Sequence, residues 1–137
     1  MWNARVRRLT SGGVIAVIAT LGAASHLLGQ TPTVQRKVLL QQDFQMPGYQ
    51  VLLVEATIPV GGREGKHTHP GTMVGYLLEG AMDLEIEGKP TQTLKAGDSV
   101  MVESSKLHEG INRGRVPTKA LVTFIVEKGK PLSTPRP

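Results

Sequence analysis

The chain has 137 residues, enough for one domain, and no cysteine, which excludes disulfides, thiolate metal sites and a lipid-modified N-terminal Cys. Its formal net charge of +5 is concentrated at the start: from Gln30 onward, 13 Lys and Arg stand against 11 Asp and Glu. No basic run is interleaved with aromatics, so nothing favours a nucleic-acid partner.

Residues 1–29 read as an export leader. Arg5, Arg7 and Arg8 form a positive start, and Val14 to Ala24 is an apolar run ending in small residues. That run is shorter than the roughly 20 apolar residues a spanning helix needs. Cleavage near Ala24, Ser25 or Gln30 would release the rest to a periplasmic or secreted location. The alternative is an uncleaved helical anchor extended by Leu27 and Leu28, which would be the one membrane contact. Arg7-Arg8 is adjacent as in twin-arginine signals, but Thr10 and Ser11 fit that consensus poorly.

From Val38 the pattern is that of a β protein, with short apolar segments between Gly, Pro and charged turns. The expected strands are Val38–Leu40 with its flanks, Gln50–Ile58, Lys66–His69, Met73–Leu78, Ala81–Ile86, Gln92–Leu94, Ser99–Val102, Leu107–Asn112 and Lys119–Glu127. Turn signals such as Pro47-Gly48, Gly61-Gly62, Glu79-Gly80 and Ala96-Gly97 separate them. Many short strands at even spacing suggest a closed or double-sheet barrel within one domain, residues 30–137. Gln50–Ile58 and Lys119–Glu127 are apolar on both faces, so the second face calls for another sheet or another subunit. Leu132–Pro137, with Pro135 and Pro137, reads as a flexible tail trailing over the surface.

Within this pattern the histidines stand out. His26 lies in the leader; His67, His69 and His108 are the others. Side chains alternate along a strand, so His67 and His69 point to one face. A third His from a distant strand can complete one side of a metal ion.

The stretch Gly61–Gly80 resembles the first cupin motif, G-x5-H-x-H-x3-E-x6-G, at Gly61, His67, His69 and Gly80. Gly97–Asn112 resembles the second, G-x5-P-x-G-x2-H-x3-N, at Gly97, His108 and Asn112. Met73 stands at the glutamate position, and Glu103 and Ser105 replace the proline and glycine. The resemblance implies an all-β fold, a cupin-type double-stranded β-helix or jelly-roll barrel in a single domain. It implies that His67, His69 and His108 hold a divalent transition metal: Fe, Mn, Zn, Ni or Cu. It places Met73 inward beside them, as apolar lining or as a soft sulfur ligand that suits copper. Asn112 reads as a hydrogen-bonding residue. Arg63, Glu64, Lys66 and Glu103 could reach a substrate at the barrel mouth, or be solvated turn residues. Catalytic residues beyond the metal set are not identifiable.

Two functional classes follow. The first is an exported cupin acting on a small molecule through a three-His mononuclear site, with oxygen-dependent oxidation as the reaction to test. The second is a cupin that binds or senses a small ligand or a metal without turnover. A homodimer through the doubly apolar strands is expected from the resemblance, against a monomer that buries both faces itself.

Overall fold

The computed structural model describes residues 33–137, all of them in strands, turns and loops. The leader lies outside the described residues. Ten strands form: β1 (Gln35–Asp43), β2 (Tyr49–Ile58), β3 (His67–Thr68), β4 (Gly71–Glu79), β5 (Ala81–Ile86), β6 (Gln92–Lys95), β7 (Ser99–Val102), β8 (His108–Ile111), β9 (Thr118–Glu127) and β10 (Thr134–Pro135). Among the described residues, no helix is long and apolar enough to cross a membrane.

The strands make two five-stranded sheets, ordered β1-β2-β9-β4-β7 and β10-β3-β8-β5-β6, with every pairing antiparallel. This is the two-sheet, all-β architecture expected of a double-stranded β-helix. Period-2 alternation decides which residues fill it. Leu52, Val54, Ala56 and Ile58 of β2 are buried, as are Ala120, Val122, Phe124 and Val126 of β9. Leu84 and Ile86 of β5 and Leu94 of β6 join them from the second sheet. Burying side chains of this size contributes about 1.5–3 kcal/mol each relative to leaving them in water.

The alternate residues of β2 and β9 are half-buried rather than enclosed. One face of these strands fills the core and the other remains partly open. The same outer face carries Val74, Tyr76 and Leu78 of β4 and Met101 of β7, all exposed.

Gly80 marks a tight junction between the sheets. Its φ is +74°, and a Cβ there would lie 2.5 Å from the Pro117 carbonyl oxygen. Both facts select glycine at this motif position. Ser105, where the motif has glycine, adopts a φ of 62° and so carries left-handed backbone with a side chain.

The C-terminal segment departs from expectation. Thr134 pairs with Thr68 and Pro135 with His67, and the Arg136 N–H donates to the Lys66 carbonyl at 2.9 Å. Leu132 packs against the core. The expected free tail is instead a short edge strand, because β3 offers an otherwise unpaired edge. A proline is tolerated at such an edge, since it need not donate to a ladder.

Candidate metal centre

His67 on β3 pairs directly with His108 on β8. His69 follows two residues after His67 and so shares its face. The three rings converge, with centroids 4.4–4.9 Å apart. One nitrogen from each lies within 4.8 Å of the other two. All three residues are buried, at 3–7% exposure. Phe124 of the facing sheet packs edge-on against His69 at 4.8 Å between centroids.

Each ring is oriented by a backbone carbonyl. Nδ1 of His67 donates to Gly65 at 2.7 Å, Nδ1 of His69 to Leu132 at 2.6 Å and Nδ1 of His108 to Lys106 at 2.9 Å. A carbonyl oxygen can only accept, so Nδ1 carries a proton in all three, and in the neutral ring Nε2 keeps a lone pair. Nε2 of His67 and Nε2 of His69 stand 3.2 Å apart, and the buried Nε2 of His108 has no hydrogen-bond partner. Three lone pairs thus face one point that no protein donor fills. Buried polar atoms are ordinarily satisfied, so this convergence fits a cation. A nitrogen–nitrogen separation of about 3.0–3.4 Å also follows from metal–imidazole bonds of roughly 2.1 Å.

Burial keeps His69 and His108 ready for that role. The pKa of His69 is lowered to about 4, mainly by desolvation, against the opposing pull of the Leu132 carbonyl; His67, His108 and Arg36 add to the lowering. The pKa of His108 is also lowered, again mainly by desolvation and against the Lys106 carbonyl. Neutral imidazole is the form that binds metal.

The histidines open onto a cavity of about 40 Å³ between the sheets. Its walls are apolar, among them Val54, Ala56, Leu77, Met82 and Phe124. Met73, buried on β4, also lines this cavity. Two charged residues join the lining, Arg36 and Glu64. They form an ion pair at 3.1 Å, and the second oxygen of Glu64 accepts from the Gly110 N–H at 3.1 Å.

The other charged candidates do not reach the cavity. Arg63 turns to the opposite face of β8, where Nε and Nη2 bind the two oxygens of Glu109, each at 2.6 Å. Glu109 also accepts from the Gly65 N–H and is 1% exposed. The hydrogen bonds from Arg63 hold its carboxyl below the usual range despite burial, and Glu109 in turn raises Arg63. Lys66 lines a separate outer depression and Glu103 is exposed. Asn112 is fully buried and satisfied: its amide donates to Ile58 and Val116 and its oxygen accepts from Gly114.

A cupin-domain family model matches residues 54–124. The chain belongs to the cupin family. No functionally curated protein matches it in sequence. Among solved structures, this cupin is similar to a double-stranded β-helix protein from Klebsiella pneumoniae, with a TM-score of 0.63, 18% identity and coverage of 80% of this chain and 90% of that one. A cupin domain from Bordetella pertussis gives a TM-score of 0.58 at 24% identity, covering 71% and 97%. The DMSP lyase DddQ from Ruegeria pomeroyi gives 0.57 at 24% identity, covering 62% of this chain. This cupin spans 42% of the length of DddQ. At these identities the likeness is one of fold. Within that fold, the three histidines are grouped as a set that could hold a metal ion, and cupins commonly bind transition metals.

Sequence reasoning missed two contributors. One is the Leu132 carbonyl, which emits no side-chain signal. The other is Arg36, whose partner in β2 is Ala56, a residue that lines the cavity. The apolar alternation of β2 was the available clue to that placement.

Proposed function

We propose that this cupin holds one divalent transition-metal ion on Nε2 of His67, His69 and His108 and acts there on a small molecule, with oxygen-dependent oxidation as the reaction. The observation that carries the reading is the convergence of three lone pairs, with the buried Nε2 of His108 unpartnered. When bound, such an ion supplies Lewis acidity and, for iron or copper, one-electron chemistry. With only three protein ligands, such an ion would keep coordination open for a small molecule. The backbone carbonyls at Gly65, Lys106 and Leu132 fix the rings, and the apolar walls keep bulk water out. The test is elemental analysis of protein purified without a His tag, followed by oxygen uptake with a panel of metabolites. One metal ion per chain and substrate-dependent uptake are expected. Metal-free protein that takes up none on titration overturns the reading.

A second reading, a cupin that binds without turnover, is favoured by one feature. Met73 stands where a carboxylate would serve as a base, and Glu64 is already held by Arg36 and the Gly110 N–H. Bound metal without oxygen uptake or product would select it.

We also propose export by the leader and a homodimer across the outer face of the β1-β2-β9-β4-β7 sheet. Val74 is paired with Met101 on that face, and both are exposed beside Tyr76. Contiguous apolar surface of this kind marks interaction sites. Tyr76→Lys is expected to give a monomer by sedimentation. The mass of the mature N-terminus tests the leader.

A further inference from the structure

The charges around the cavity do not balance once a divalent ion is present. The three imidazoles are neutral ligands. The position where a carboxylate would offset the ion is Met73, a thioether. Among the described residues, the one carboxylate lining the cavity is Glu64, and Arg36 cancels it at 3.1 Å. The loaded centre would therefore carry two uncompensated positive charges against apolar walls. A bound cation is the largest local charge in such a site, and a buried charge without a counter-charge is strongly disfavoured.

From this deficit we propose that the cavity takes a small anionic ligand, a carboxylate with a short apolar body, whose charge completes the metal centre and whose orientation is set by Arg36. The proposal rests on the metal reading above. Arg36 sits opposite Ala56 on the cavity-facing side of β1–β2. Its guanidinium offers five N–H donors, and among the described residues its one side-chain hydrogen bond, to Glu64, comes from Nη2. Glu64 is the residue that positions it. Glu64 in turn fits because residue 110 is glycine: a Cβ there would lie 2.8 Å from its Oε2. The apolar walls suit a short hydrocarbon body.

The experiment uses Zn(II) as a redox-silent ion, butyrate as the anion and butyramide as its neutral isostere, with binding read by calorimetry. Butyrate is expected to bind the zinc-loaded protein at least about tenfold tighter than butyramide, as charge-assisted contacts are markedly stronger than neutral ones. By reciprocity, saturating butyrate must tighten zinc binding by the same factor that zinc tightens butyrate. In a Glu64→Gln background, where no carboxylate is released beside the ion, Arg36→Gln is expected to weaken butyrate about tenfold. Met73→Glu, by supplying the missing charge, is expected to remove the coupling between zinc and butyrate. If that variant does not fold, Arg36→Gln decides. Butyrate and butyramide binding alike to zinc-loaded protein overturns the proposal, as does butyrate binding unchanged by Arg36→Gln in the Glu64→Gln background or coupling that survives in folded Met73→Glu. Failure to bind zinc at all removes the metal reading as well, which separates the two failures.

Discussion

Arg63 and Glu64 are neighbours in one turn, yet they end on opposite sides of β8. Arg63 closes on Glu109 at the outer face with two 2.6 Å bonds. Glu64 enters the cavity side, bound to Arg36 and to the Gly110 N–H. The two ion pairs resemble each other in composition and differ in surroundings. Glu109 has its hydrogen bonds from protein and touches no open space in the core. Glu64 and Arg36 border a cavity with three bare imidazole nitrogens. Composition alone therefore does not separate a fastening pair from a pair at a site; what lies beyond the second atom does.

The largest way to test that contrast is on β8 itself. His108→Ala is expected to lower metal affinity by more than about 100-fold, beyond the 10–100-fold typical of residues one shell away from a metal. Glu109→Gln, the adjacent position facing outward, is expected to leave metal affinity within about tenfold. Metal titration of both variants decides; equal losses would erase the distinction between the two faces.

The C-terminal strand sharpens the comparison next. Deleting residues 131–137 removes the carbonyl that orients His69. Metal affinity is expected to fall about 10–100-fold, the range for lost second-shell partners. The three ligands and the core strands β2, β4 and β9 are untouched, so the β-sheet circular dichroism of the truncated protein checks that it still folds.

Acid acts on the cavity side before the outer side. In metal-free protein, His69 has a folded pKa of about 4 against 6.5 for the free side chain. The unfolded chain then binds the extra proton more readily, so stability is full above about pH 6.5 and declines as pH falls toward about 4. The loss is on the order of 2 kcal/mol once solvent access is allowed for. His108 shifts in the same direction and adds to it. Glu109 runs the same way at lower pH, since its depressed pKa stabilises the fold above the usual carboxylate range and fails below it. Urea melts at pH 7.5, 6 and 4.5 measure this; a flat profile would mean His69 and His108 are not held neutral.

Smaller effects follow on the fastening side. Glu109→Gln is expected to lower stability by about 1–2 kcal/mol, at the low end for a charged hydrogen bond because Arg63 is half-exposed. Ser105→Gly is expected to stabilise by up to about 1 kcal/mol, since left-handed backbone strains a residue with a Cβ. Thermal melts of both variants check the signs.

Much of the fold was legible because period-2 alternation is strict in a two-sheet core. Ala81–Ile86 and Ser99–Val102 were read with their observed ends, and β2 and β9 within one residue. The three histidines were legible because spacing on a strand fixes a face, and because two separated motifs kept register. Met73 was placed inward by the same logic. What was not legible depended on backbone or on neighbours. The Leu132 carbonyl belongs to a segment rich in proline, which reads as a free end. In sequence Arg63 is open to a place at the mouth or to a solvated turn, and it belongs to Glu109, since a turn can send adjacent side chains either way. Glu64, open in sequence to the same two alternatives, lies on the cavity side, where Gly110 leaves room for it.

The bond from His69 to the Leu132 carbonyl spans 63 residues and has a consequence for the life of the chain. A nascent chain that has emerged only as far as Glu127 already possesses every imidazole of the centre. It still lacks the acceptor that turns the ring of His69 inward. The orientation of all three rings therefore needs Leu132 in place as well as the imidazoles themselves.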